Sequence, residues 1–239
     1  MTTMAKGGRF RIYDGMLYKG KPSLAGQGLL PIKVLYPKHL WSKNADRSVP
    51  DIPQIKKVIQ EIVQEGTERV VLDLEGWGVE TSKYLAALNA AKSVGKFLDY
   101  GFYGQLPQRS HPYRIKRETN YWHEIQGRNA EMAQVAYHAN TIYPSLYNLT
   151  VDGEEWEAMA LRDILAARKY GREVIPFIMP QYHPNSAAPW RFLDYDKWVS
   201  QLSFLSQISE GVIIWSPPDP TWDNKSPWWD ATKLFLQQF

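Results

Sequence analysis

The 239-residue chain contains no cysteine. That excludes a disulfide framework, a thiolate nucleophile and a thiolate-bound metal. Net charge is small, with 28 Lys and Arg against 25 Asp and Glu, or +3. No Lys/Arg cluster of the kind that tracks a phosphate backbone is present, so nucleic acid is not an expected partner. No long apolar run follows the polar residues 1–8, so neither a signal peptide nor a membrane span is expected. The compartment stays open: cytoplasm, or export with the signal already removed. No obligate protein partner is indicated. The sequence lacks a glycine-rich phosphate loop, a His-Glu-x-x-His helix and any His/carboxylate cluster at metal-ligand spacing. No cofactor and no metal are expected.

Aromatic residues, by contrast, are abundant: ten Trp and fourteen Tyr. They serve cores, and they also form platforms for the flat, weakly polar faces of sugars.

Apolar runs and amphipathic stretches alternate along the chain. Residues 9–18 alternate in polarity around Asp14-Gly15, which reads as a small N-terminal hairpin, and residues 1–28 as the hairpin with an entry segment. Strands are expected at 29–36, 69–74, 97–103, 140–146, 173–179 and 211–215. Helices are expected at 51–64, 81–93, 121–137, 151–170, 193–208 and 226–238. The strands are nearly continuous apolar runs, the pattern of a parallel sheet covered by helices. The predicted fold is an α/β barrel of the TIM type, distorted or with fewer than eight strands, spanning residues 1–239 as one domain.

Val70-Val71-Leu72-Asp73-Leu74-Glu75-Gly76-Trp77 stands out. An apolar strand ends in two carboxylates at i and i+2, which share a face of a strand. In α/β folds, sites form at the carboxyl ends of strands. The same strand end supplies Trp77, and the other strand ends supply Tyr36, Tyr103, Gln105, Tyr143, Tyr147, Tyr182, Trp215 and Asp219, with His183 beside Tyr182. Phenols, amides, indoles and carboxylates together have the chemistry of a carbohydrate site. Cleaving a glycosidic bond requires a proton donor and a group that traps or stabilises the anomeric cation. Glu75 is the expected acid, its pKa raised by the charge of Asp73. Asp73 is the expected assistant: it would orient a 2-acetamido group that itself attacks the anomeric carbon. Without an acetamido group a second carboxylate is needed, and only Asp219 and Asp223 are offered. A catalytically silent carbohydrate-binding barrel, a polysaccharide lyase and a deacetylase are the alternatives.

These segments resemble the hyaluronidase family of glycoside hydrolases. Asp73-Leu74-Glu75-Gly76-Trp77 is similar to that family's Asp-x-Glu-x-Trp. Tyr100-Gly101-Phe102-Tyr103-Gly104, Ile142-Tyr143-Pro144-Ser145-Leu146-Tyr147, Ile175-Pro176-Phe177-Ile178 and Gly211-Val212-Ile213-Ile214-Trp215 resemble its later strands in order. The resemblance implies a distorted barrel with fewer than eight strands. It implies proton donation by Glu75, acetamido orientation by Asp73, and sugar contacts from Tyr103, Tyr143, Tyr147 and Trp215. Members of the family usually carry disulfides, which this chain cannot form. An acidic substrate would favour a basic cleft, and the candidate cations are Arg109, Arg114, Lys116 and Arg117 in the long loop.

Overall fold

Alternation along each apolar run gives every strand two buried faces, and a curved sheet satisfies both by closing on itself. The computed structural model describes residues 10–118 and 120–238. Its strands are β1 (Arg11–Met16), β2 (Leu30–Pro31), β3 (Lys33–Leu35), β4 (Arg69–Leu72), β5 (Asp99–Phe102), β6 (Thr141–Ile142), β7 (Glu173–Val174), β8 (Phe177–Ile178) and β9 (Gly211–Ser216). The helices are α1 (Pro37–Leu40), α2 (Ile52–Glu65), α3 (Thr81–Val94), α4 (Pro112–Arg117), α5 (Tyr121–Glu131), α6 (Ala133–His138), α7 (Gly153–Arg168), α8 (Tyr195–Ile208) and α9 (Pro227–Leu236).

Every ladder between named strands is parallel. Sheets β2-β1-β9-β8, β3-β4-β5 and β6-β7 are joined into a ring. The parallel bridges Tyr103–Tyr143 and Ser145–Phe177 stitch their edges. Two pairs of short strands, β2 with β3 and β7 with β8, each make one stave. The ring therefore has seven staves among the described residues: β1, β2/β3, β4, β5, β6, β7/β8 and β9. This is the distorted TIM-like barrel with fewer than eight strands. Pro176 lies at the break in the β7/β8 stave, where it cannot donate to the ladder.

The expected N-terminal hairpin is corrected. Arg9 lies outside the described residues, and residues 11–16 form the seventh stave. Tyr13 pairs with Leu30 on one side and with Ile213 on the other, both parallel. Asp14-Gly15 sits inside that strand, and Gly15 is there for space: a Cβ would lie 2.7 Å from Ile213 Cγ2. A turn dipeptide and a close-packed strand glycine look alike in sequence.

Helix boundaries follow local chemistry. Asp51 caps α2 by accepting from Gln54 N (3.1 Å), and Gly66 closes it at φ +74°. Asp152 and Asp194 cap α7 and α8 in the same way. The single helix expected over 121–137 is broken at Met132 into α5 and α6. The expected strand start at Phe97 is wrong; that ring is 90% exposed and β5 begins at Asp99. No helix among the described residues is long and apolar enough to cross a membrane.

Parity sorts the core. Tyr13, Val71, Tyr103, Tyr143, Ile175, Phe177 and Ile213 fill the barrel interior, while their sequence neighbours pack outward under the helices. Gly101 is the tightest point: a Cβ there would lie 2.1 Å from Thr141 O and 2.6 Å from the Tyr143 ring. Six indoles, those of Trp41, Trp77, Trp156, Trp198, Trp228 and Trp229, are buried in the outer layer. Much of the aromatic content is therefore core.

Candidate active site

The interior parity of β4 continues past its end. Val71 faces inward, Leu72 and Leu74 pack outward, and Asp73 and Glu75 share the inward side at the carboxyl mouth of the barrel. Asp73 N donates to Leu35 O (3.0 Å), so the ladder to the β2/β3 stave extends to the first acid. Glu75 sits one step higher, exposed at the lip. The following turn is anchored from outside the cleft. Trp77 donates its Nε1–H to Arg47 O (2.8 Å) and lies edge-on to Trp41 and Tyr84. The Tyr84 hydroxyl lies 3.1 Å from Leu74 O, Gly78 O and Gln105 Oε1.

Asp73 and Glu75 line an open cleft of about 270 Å³, together with Val34, Tyr103, Arg109, Tyr147, Phe177, Met179, His183, Pro184, Trp190 and Trp215. Tyr147 is stacked against Trp215 (5.4 Å, 25°) and, more loosely, against His183 (6.3 Å, 28°). Trp215 Nε1–H donates to the Tyr36 hydroxyl (2.9 Å), which brings Tyr36 to the same wall. The Tyr103 hydroxyl lies 3.0 Å from Ser145 Oγ and accepts from Arg109 Nη2 (2.7 Å). The Arg109 guanidinium also lies over the Tyr147 ring, 5.5 Å from its centre.

Neither cleft carboxylate has a hydrogen-bond or ion-pair partner on a side chain among the described residues. Burial, and then the charge of Glu75, push the Asp73 carboxyl up to about 7, against the opposing pull of Arg109. The sequence pattern pointed to Glu75 as the raised acid; the deeper of the two is the one burial raises. Burial also raises the Tyr147 phenol and takes that of Tyr36 to about 12, so both stay protonated donors at neutral pH. Burial, with help from Arg109 and His111, lowers His183 to about 4, which keeps its ring neutral.

Of the residues singled out from sequence, Asp73, Glu75, Tyr103, Tyr147 and Trp215 meet in the cleft, with Tyr36 behind Trp215. Five others do not. Trp77 shares the parity of Asp73 and Glu75, but the turn at 76–79 takes it out of the strand alternation and into the core against Trp41 and Tyr84. Gln105 is turned outward after Gly104, at φ +62°, and bonds Tyr84. Tyr143 has the inward parity but lies one layer deeper, fully buried on the barrel floor. Tyr182 has the opposite parity from the cleft residue His183; its hydroxyl accepts from Lys197 (2.9 Å). Asp219 is exposed in the loop after β9 and does not line the cleft. Of the loop cations, Arg109 reaches the cleft. Arg114 pairs with Glu118, and the side chain of Lys116 lies outside the described residues. Sequence reasoning put His183 at this end of the barrel beside Tyr182 without giving it a role, and it did not place Trp190 in the site. His183 was legible from the alternation Phe177, Met179, Gln181, His183; Trp190 had no periodic signal. Among the described residues no three His, Asp or Glu side chains converge as a metal site would require.

No protein-family model matches the chain, and neither does any curated protein. Solved structures do. Bee venom hyaluronidase superposes with a TM-score of 0.62 at 15% identity, covering 96% of this chain and 96% of that one. Its complex with a hyaluronic acid tetramer gives 0.63 at 14% identity, over 96% and 95%. The likeness is one of fold. A fungal β-1,4-galactanase shares it more loosely, with a TM-score of 0.53 at 11% identity over 97% and 88%. At such identities the shared feature is the barrel.

Proposed function

We propose that this protein is a glycoside hydrolase acting on a glycan with 2-acetamido sugars, with Glu75 as the proton donor and Asp73 as the carboxylate that orients the acetamido group. The observation that supports this best is the pair itself. Two carboxyls share one face of an open, aromatic-walled cleft, Asp73 below and Glu75 at the lip, with no cation bonded to either among the described residues. Arginine pairing would have marked them as structural; here they remain available.

The proton starts on the deeper carboxyl. In the empty cleft at a pH below about 7, Asp73 is protonated. An acetamido N–H donated to Asp73 favours its charged form, so substrate docking drives the proton toward Glu75. Glu75 then protonates the leaving oxygen as the C1–O bond breaks. The acetamido carbonyl oxygen attacks C1 and forms a cyclic oxazolinium ion. The Tyr147 hydroxyl, kept protonated by burial, donates toward that carbonyl oxygen and fixes its aim. Water next attacks C1 and gives its proton to the Glu75 carboxylate, opening the ring and restoring the acid. Because Arg109 fills an acceptor site on Tyr103, the Tyr103 hydroxyl keeps its own hydrogen for donation. Among the described residues the cleft lining offers no third carboxyl, since Asp219 and Asp223 lie outside it, and this favours assistance by the substrate over a separate protein nucleophile.

Release of new reducing ends from hyaluronan and chitin oligomers, by wild type and by Glu75→Gln, tests the assignment. Loss of release with retained binding is expected. Equal release by both proteins contradicts it.

A further inference from the structure

The aromatic wall of the cleft leaves one ring unused. Tyr147 is buried, with Trp215, His183 and the Arg109 guanidinium against its ring, so its ring faces are taken. Trp215 gives one face to Tyr147 and its N–H to Tyr36. Trp190 differs. It lines the same cleft and is 46% exposed. Among the described residues no ring packs against it, and its indole N–H has no acceptor.

The backbone of Trp190 is a separate observation. Its φ is +62°, in the left-handed region that bulky residues avoid because Cβ crowds the following carbonyl. Glycine would adopt this conformation freely, yet the chain places its largest side chain there. The strain is held from both sides. Trp190 N donates to Tyr182 O (3.1 Å), and Trp190 O accepts from the Nε2 of buried Gln181 (2.9 Å). Beyond it, Phe192 pairs back onto Gln181 in an antiparallel bridge. A strained conformation that persists because its surroundings fix it is characteristic of binding positions. Here the strain contributes nothing to the core, since the side chain it presents is half outside.

We propose that Trp190 is the platform of a second sugar position. Its exposed indole face stacks on the apolar C–H face of the pyranose next to the one held at Asp73 and Glu75, and its indole N–H donates to a hydroxyl of that ring. This rests on the glycosidase reading and deepens it: the cleft recognises at least a disaccharide unit, and the second ring supplies affinity while the carboxylates supply chemistry. Truncated substrates should bind weakly.

The full chain carrying Glu75→Gln binds without turnover, so Trp190→Gly is compared with Trp190 in that background. The probes are mono- to tetrasaccharides of N-acetylglucosamine, followed by calorimetry and indole fluorescence. Extending the probe from one sugar to two should raise affinity in the parent by about tenfold, in line with one stacked aromatic contact, and this gain should vanish in Trp190→Gly. Since glycine relieves the left-handed strain, the thermal midpoint should stay level or rise, separating lost binding from lost folding. If Trp190→Gly melts lower, Trp190→Leu keeps the bulk without the aromatic face and should show the same loss of length dependence. Equal affinity gains with probe length in both proteins would overturn the platform while leaving the glycosidase reading intact. Failure of the Glu75→Gln parent to bind any of these or the hyaluronan oligomers would overturn both.

Discussion

Replacing Asp73 with Asn should stabilise the protein in a pH-dependent way while disabling the site. The folded-state carboxyl is raised from 3.8 to about 7, chiefly by burial and then by Glu75. Between those values the folded state binds a proton that the unfolded state has released. Stability therefore falls as pH rises through this window, and the loss is complete above about 7. The gap of roughly three pH units, at 1.36 kcal/mol each, sets a ceiling of about 4 kcal/mol; partial solvent access brings the expected cost to about 2–4 kcal/mol. Asparagine has no charge to desolvate. Urea denaturation followed by tryptophan fluorescence should thus give matched stabilities near pH 4 and an advantage for Asp73→Asn of about 2–4 kcal/mol at pH 8, or roughly 5–10 °C in the melting midpoint. Glu75→Gln removes the lesser of the two causes, so its stability curve should flatten only in part. Parallel curves for wild type and Asp73→Asn from pH 4 to 8 would refute the placement of the carboxyl in a low-dielectric, cation-free setting.

Arg109→Gln removes the cation opposing the rise of Asp73, so the alkaline fall of kcat/KM near pH 7 should move to higher pH; an unmoved limb would mean that Arg109 does not act on the pair. In wild type, kcat/KM should fall as pH rises beyond about 7, once the pair loses its last proton, and a rate still climbing at pH 9 would contradict the shared-proton account. Gly101→Ala should destabilise by at least about 3 kcal/mol, because the new methyl meets a backbone carbonyl at 2.1 Å and cannot relax as a side chain would. Trp77→Ala should cost about 3–5 kcal/mol of stability, read by thermal melting, with no change in glycan affinity below the melt; weaker binding at unchanged stability would return that indole to the site.

The barrel was legible from sequence because parallel staves buried on both faces read as unbroken apolar runs, and glycines or capping aspartates mark the helix ends. The N-terminal stave was not, because Asp14-Gly15 carries the local signature of a turn while its actual partners, Leu30 and Ile213, are distant in sequence. At the site, parity decided success. Asp73 and Glu75 were found by their i, i+2 spacing. Tyr182 and His183 were both placed at one strand end, but only Tyr182 was taken as a sugar contact, although the count along the strand favours His183. Tyr143 shows the limit of parity, which gives the face but not the depth: two residues per layer separate the floor from the cleft. Trp77 continues the alternation of the two acids, yet the turn at 76–79 breaks that alternation and ties the indole to Trp41 and Tyr84. Trp190 lies in a loop whose path depends on Gln181 and Phe192, and no local pattern encodes that.

The configuration at the newly released anomeric carbon tests the central claim most directly. Proton NMR during early turnover of a 2-acetamido oligosaccharide should show the configuration of the original bond retained, with activity absent from Glu75→Gln and reduced at least about a hundredfold in Asp73→Asn. An inverted product, or cleavage that proceeds equally well on sugars lacking the acetamido group, would contradict the account.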